Sequence, residues 1–135
     1  MAVYNAFKAS IMTGVVDLDT NEIFIALFDS TYTIDIDAHT IWSDISGSQV
    51  VGTGYTAGGT ALTGGAVTVD TTDDEGVYDA TDVTWEGSTL AGSSAVVYDK
   101  TSSVLIALMD FGAEYESSAG DFTIQFNAEG VLNLG

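Results

Sequence analysis

The chain contains no cysteine and no proline. The first absence removes disulfides, thiolate metal sites and cysteine nucleophiles together, and leaves the redox compartment unmarked. The second means that no ring stiffens a turn and that no cis peptide is expected. Fifteen glycines must supply the turn geometry instead. Cations are almost missing: Lys8 and Lys100 stand against 20 acidic residues, for a net charge of −18. Binding to nucleic acid needs basic side chains that neutralise phosphates and release counterions, so no nucleic-acid partner is expected. An anionic membrane surface is disfavoured for the same reason. No apolar run reaches about 18 residues, so no transmembrane helix and no membrane partner are predicted. The N-terminal MAVYNAFKASIMTG is interrupted by polar residues and lacks the apolar segment of a signal peptide. The chain is therefore expected to be made in the cytoplasm and used at full length.

Imidazole is scarce as well, with His39 the single histidine. No Gly-x-Ser-x-Gly elbow or evident nucleophile accompanies it, so a Ser-His-Asp mechanism has no support. A zinc site needs three or four nitrogen or sulfur ligands, which one histidine cannot supply. His39 reads as a loop or capping residue beside Trp42. No enzyme is expected.

What is present points to a folded domain. Hydrophobic residues make up 46% and aromatics 10% of 135 residues, which argues against disorder and for one domain over 1–135. A chain of this length buries roughly two-thirds of the surface its unfolded form exposes. The carboxylates read first as a solvated, mutually repelling surface. The functional alternative is attraction to a basic partner or to cations.

In the N-terminal half, Val3, Phe7 and Ile11 fall four apart, which predicts a helix over about residues 3–12 ended by Gly14. Val15–Asp19 and Glu22–Phe28 read as strands. In the second, Ile23, Ile25 and Leu27 face one way while Phe24 and Phe28 face the other, as in a strand covered on both sides. Ile34 and Ile36 alternate with Asp35 and Asp37 in a half-exposed extended segment. Ile41, Trp42 and Ile45 are spaced for one helical turn or a packed loop, and the sequence leaves both open.

Val51–Leu62, VGTGYTAGGTAL, separates the two halves with four glycines and no charge. Beyond it Ala66–Asp70, Val77–Trp85, Ser94–Asp99, Val104–Phe111, Phe122–Phe126 and Val131–Leu134 read as strands, Val104–Phe111 being the central buried one. Glu86–Ser88 reads as a turn and Gly112–Gly120 as a polar loop. About seven to nine short strands between turn signals predict a mostly β fold. The architecture expected is an antiparallel β-sandwich or small barrel, with the N-terminal helix over an open end.

Two kinds of site suggest themselves. Oxygen ligands for calcium could come from Asp70, Asp73, Asp74 and Glu75, although no EF-hand spacing is present. No other cofactor is expected. Contact surfaces are the second kind, because Tyr and Trp combine apolar area with a polar handle. Trp42 and Trp85 favour a core reading, whereas core and contact readings of Tyr55 stand level. The helix, with Val3 and Phe7, and the glycine-rich loop, with Tyr55, Gly54, Gly58 and Gly59, are the candidate docking surfaces, and Trp42 joins them.

The strings IALFDSTYTIDIDAHTIWSDI, GTGYTAGG, SAVVYD, MDFG and GDFTIQFNAEGVLNL, in that order, resemble a family of small virion structural proteins of tailed bacteriophages. The resemblance runs from about Phe7 to Leu134 and is most specific at Trp42-Ser43-Asp44 and around Tyr55. It implies a β-rich module present in many copies on a particle assembled in the host cytoplasm. The role implied is a head decoration, or cement, protein whose partner is the major capsid protein or another virion protein. It also implies a homo-oligomer, with a trimer as one form, and it carries no catalytic residue. A neck, tail or fibre component is the alternative within that class. Outside it stands a carbohydrate-binding β-sandwich using Tyr55, Trp42 or Trp85 as a sugar platform.

Overall fold

The computed structural model describes residues 1–135. Ala2–Val3 forms a short strand, β1, that leads into helix α1, Asn5–Met12. Strand β2 is Ile23–Phe28, and two single 3-10 turns follow at Trp42–Asp44 and Ser46–Ser48. The remaining strands are β3 (Thr60–Ala61), β4 (Ala66–Asp70), β5 (Glu75–Asp79), β6 (Val83–Ser88), β7 (Ala91–Asp99), β8 (Leu105–Glu116), β9 (Gly120–Ile124) and β10 (Leu132–Leu134). All pairings are antiparallel, in a five-stranded sheet β1-β8-β7-β2-β3, a three-stranded sheet β10-β5-β4 and a two-stranded ribbon β6-β9.

The five-stranded sheet is covered on both faces, as the alternation in β2 predicts. Ile23, Ile25 and Leu27 join the larger core with Ala95 and Val97 of β7. Tyr78, Val83, Trp85, Phe122, Ile124 and Leu132 from the two smaller sheets close that core from the other side, which makes a sandwich. On the opposite face Ala26 and Phe28 pack with Val96, Tyr98 and Leu105, under Tyr4, Tyr32 and Ile45. Here the cover is the 29–48 segment rather than a second sheet. Each fully buried Ile, Leu or Phe on β2 contributes on the order of 1.5–3 kcal/mol by leaving water.

Several expectations from the sequence are corrected. The helix begins at Asn5, because Val3 is taken by pairing with Ala107 in β8. Val15–Asp19 is not a strand: Asp17 accepts the amide of Asp19 on its side chain, and its carbonyl accepts those of Thr20 and Asn21, closing a turn. Val77–Trp85 is two strands, broken at Ala80–Asp82, where Thr81 donates its amide to Thr63 and Asp82 accepts that of Phe126. Glu86–Ser88 is no turn but an irregular stretch of β6, with its register shifted between Trp85 and Ser88 and Gly87 at φ 56°. Residues 112–116, expected in a loop, extend β8 and return to β7 through the pairs Tyr115 with Gly92 and Glu116 with Ala91. The apolar run of β8 lies inside the sheet, but the middle strand is β7. There are ten strands in all, and two of them, β1 and β3, have only two residues.

Asp99 ends β7 with no exposed surface. Its carboxylate accepts hydrogen bonds from Ser102 Oγ at 2.6 Å, Asn21 Nδ2 at 2.7 Å and the Thr101 amide at 2.9 Å. Three donors compensate the loss of hydration that a buried anion suffers. They also tie the 17–21 turn to the β7–β8 hairpin.

Candidate functional site

The glycine-rich loop is built around a latch. The Tyr55 hydroxyl donates to Gln49 Oε1 at 3.2 Å and accepts the amide of Leu27 at 3.3 Å. Gln49 Oε1 also takes the Gly58 amide at 2.8 Å, and Tyr98 donates its hydroxyl to the Gly58 carbonyl at 2.6 Å. The Tyr55 ring packs 6.0 Å from that of Trp85, against the larger core. Burial drives the Tyr55 phenol well above its ordinary value, since an anion here would lose its hydration. Gly59 has φ 81°, and a Cβ there would collide with the carbonyl of Ile25. Gly54, at φ 84°, also passes close over Ser88, though less tightly. The loop lies down on the sandwich and closes it. Tyr55 is half-buried, its ring packed against the larger core and its hydroxyl bonded within the protein.

The other candidate contact residues fare similarly. Phe7 is completely buried, so the apolar stripe of α1 faces the core. Val3 is half-buried within β1. Trp42 lies flat on Tyr98 and edge-on to Phe28, while Trp85 stands between Tyr55 and Phe122. None of these aromatics forms an exposed platform. His39 sits in the 29–48 cover with its ring 5.9 Å from that of Tyr32, and its buried Nδ1 has no hydrogen-bond partner.

The acidic turn between β4 and β5 brings Asp70, Asp73 and Glu75 together, with one carboxylate oxygen of each lying within 4.8 Å of the others. Asp74 is outside that group and takes φ 57° at the turn. The carboxylates have structural partners: Asp70 accepts the amides of Thr72 and Asp73, and Glu75 accepts Asn133 Nδ2. Oxygen donors of this kind suit calcium, which takes six to eight of them. The three residues supply only part of such a set.

Two surface features were not legible in the sequence. An open groove of about 450 Å³ lies between the far half of β8 and strand β9. Phe111 meets Tyr115 edge-on at 6.0 Å within it, and Asp121, Thr123 and Gln125 supply polar groups. Tyr115 is 57% exposed. The signal was present in the tyrosine and phenylalanine themselves, but the polar composition of 112–120 hid the strand that presents them.

The second feature is β4. Its residues Ala66, Val67, Thr68 and Val69 are exposed on both faces, and it stands at the end of its sheet. An apolar dimple beside it is lined by Ile11, Leu18 and Val67.

The fold thus defines a mostly β, antiparallel protein with one short N-terminal helix. No helix is long and apolar enough to cross a membrane. Comparisons with protein families, curated proteins and solved structures return no match to the chain.

Proposed function

We propose that this chain is a virion structural protein of a tailed phage, and within that class a decoration protein bound in many copies to the outer face of the head. The observation that carries the reading is the division of the molecule into a closed interior and a carboxylate exterior. The large aromatics Tyr55, Trp42 and Trp85 pack against the two cores, Trp85 buried and the other two half-buried. The exposed surface is left mainly to carboxylates and to apolar side chains such as Met12, Val51 and Val69, with Tyr115 the one large exposed aromatic. A rigid, anionic module of that kind suits the outside of a particle, away from packaged nucleic acid. Weak contacts repeated around a closed shell sum to strong retention. The resemblance along Phe7–Leu134 supplies the class. The major capsid protein is the partner this reading names.

Quantitative mass spectrometry of purified particles is the test. A copy number close to that of the major shell protein supports decoration. A few copies per particle would move the chain to the neck, tail or fibre. Absence from particles would remove the reading altogether.

The groove between β8 and β9 supports a second reading, a carbohydrate-binding module. An exposed tyrosine beside carboxylate and amide groups is a suitable surface for a sugar ring. The platform is then Tyr115 with Phe111, in place of Tyr55, Trp42 or Trp85. Glycan-array binding abolished by Tyr115→Ala would favour it, and an array with no hits would end it.

A further inference from the structure

Strand β4 is an open edge guarded only by acidic residues at its two ends. It pairs with β5 from Ala66 with Asp79 through Asp70 with Glu75, with no shift in register. Beyond it there is no strand, and no backbone hydrogen bond reaches its outer side. Edges are usually blunted by lysine, proline or a bulge, and AVTVD has none of these. Val67 is 52% and Val69 80% exposed. The centre of the edge is uncharged, but both of its ends are acidic. Asp70, Asp73, Asp74 and Glu75 crowd the hairpin tip, while Asp79 faces Ala66 at the base.

We propose that β4 is a docking edge that accepts an extended strand from a basic partner, apolar at its centre and carrying Lys or Arg at both ends. Main-chain hydrogen bonds would supply the register, and the two valines the side-chain contact. Charge selects the occupant. A second copy paired about a two-fold at Thr68 would place its Asp70 opposite Ala66. That sets Asp70 in the same row as Asp79 with Ala66 between them, a like-charge pair whose weak repulsion is greatest at low salt. A net charge of −18 on each copy adds to that cost. A strand with basic ends meets opposite charge at the tip and at the base. As the contact a decoration protein makes with its shell, the proposal rests on the virion reading. As a property of the β4 edge, it is tested without it.

The probe is a synthetic peptide of alternating valine and threonine with two lysines at each end, titrated into the full chain and followed by amide resonances. Shifts are expected at Val67, Thr68 and Val69, with slowed exchange at those amides that point away from β5, both weakening as salt screens the ends. A glutamate-ended peptide, and a lysine-ended one with alternate amides N-methylated along its pairing edge, should each bind at least about tenfold more weakly. Val69→Lys, at a site that contributes little to the core, should also weaken the lysine-ended peptide about tenfold with the fold intact. Equal binding of the glutamate-ended peptide overturns the proposal. So do shifts confined to other strands, or none at millimolar peptide. A concentration-dependent dimer abolished by Val69→Lys would assign the edge to a second copy and overturn it too. On particles, wild-type protein retained and Val69→Lys retained equally would refute docking through β4 while leaving the virion role standing. Wild-type protein absent from particles would refute the virion role, and the peptide titration would still decide the edge.

Discussion

The indole of Trp42 is stacked on the ring of Tyr98, with centroids 4.2 Å apart and planes 13° from parallel. Tyr98 belongs to the middle strand of the large sheet, and Trp42 to the irregular segment that covers it. The stack therefore holds a stretch with little regular structure of its own onto the sheet, helped by the Trp42 amide donating to the Ser103 carbonyl. Trp42→Ala should cost about 3 kcal/mol, within the range for removing a large packed aromatic. Chemical denaturation is the check, and a loss below about 1 kcal/mol would show that the 29–48 cover does not depend on this stack.

Tyr55 offers a cleaner separation of hydroxyl from ring. Tyr55→Phe deletes the bonds to Gln49 and Leu27 but keeps the packing on Trp85, and should cost about 1 kcal/mol. Tyr55→Ala removes the packing as well and should cost about 3 kcal/mol. If Tyr55 were instead a contact residue, both variants would melt like the wild type and differ only in attachment. Parallel melting curves and particle-binding measurements distinguish the two cases.

How much of this was visible in the sequence varies with the range of the contact involved. Strand β2 was legible because the alternation of Ile23, Ile25 and Leu27 with Phe24 and Phe28 records both of its surroundings locally. The outer half of β8 was not, since Gly112–Glu116 has the composition of a loop and is ordered by Gly92 and Ala91, some twenty residues earlier in the chain. The role of Tyr55 was undecided for the same reason. Its partners Gln49, Leu27 and Trp85 are separated in sequence and meet only when the loop folds over the sheet. By sequence Asp74 counts in the acidic cluster, whereas the structure groups only Asp70, Asp73 and Glu75; no spacing rule reports the left-handed backbone of Asp74.

Alkaline pH should unfold the protein through its tyrosines. Burial raises the phenols of Tyr4, Tyr32, Tyr55, Tyr78 and Tyr98 above 10.0, that of Tyr98 to about 12. A folded-state value above the unfolded one means that the neutral form is favoured by folding. The stabilisation is complete below pH 10 and is lost as pH rises through the folded values. The melting temperature should hold steady to about pH 9.5 and then fall. Tyr98→Phe should make that decline shallower, even though it starts from lower stability because the bond to Gly58 is gone. An unchanged slope would mean that Tyr98 does not titrate in this range.

At Gly59 backbone geometry and packing act together. The φ of 81° costs an L-residue roughly 1 kcal/mol, and the added Cβ would also drive the loop off the Ile25 carbonyl. Gly59→Ala should therefore destabilise by more than about 3 kcal/mol, at the upper end for a single substitution. Gly14→Ala is the control, because Gly14 has a similar φ of 75° but open space around it. It should lose only the backbone share. Equal losses at the two sites would show that the loop is not held against β2.

Added salt should raise the melting temperature, because a net charge of −18 repels itself in the compact state. The question at the β4–β5 tip is whether calcium does more than screen. Asp70 and Glu75 already accept hydrogen bonds from within the protein, and three carboxylates on one turn fall short of the coordination calcium takes. Calcium chloride and sodium chloride at matched ionic strength should therefore raise the melting temperature equally, and EDTA should have no effect beyond its own ionic strength. Asp73→Asn removes one of the three clustered carboxylates and with it some of their mutual repulsion. It should raise stability slightly in low salt and leave the response to calcium unchanged. A calcium increment above that of sodium, present in the wild type and abolished by Asp73→Asn, would instead establish a bound ion at the tip.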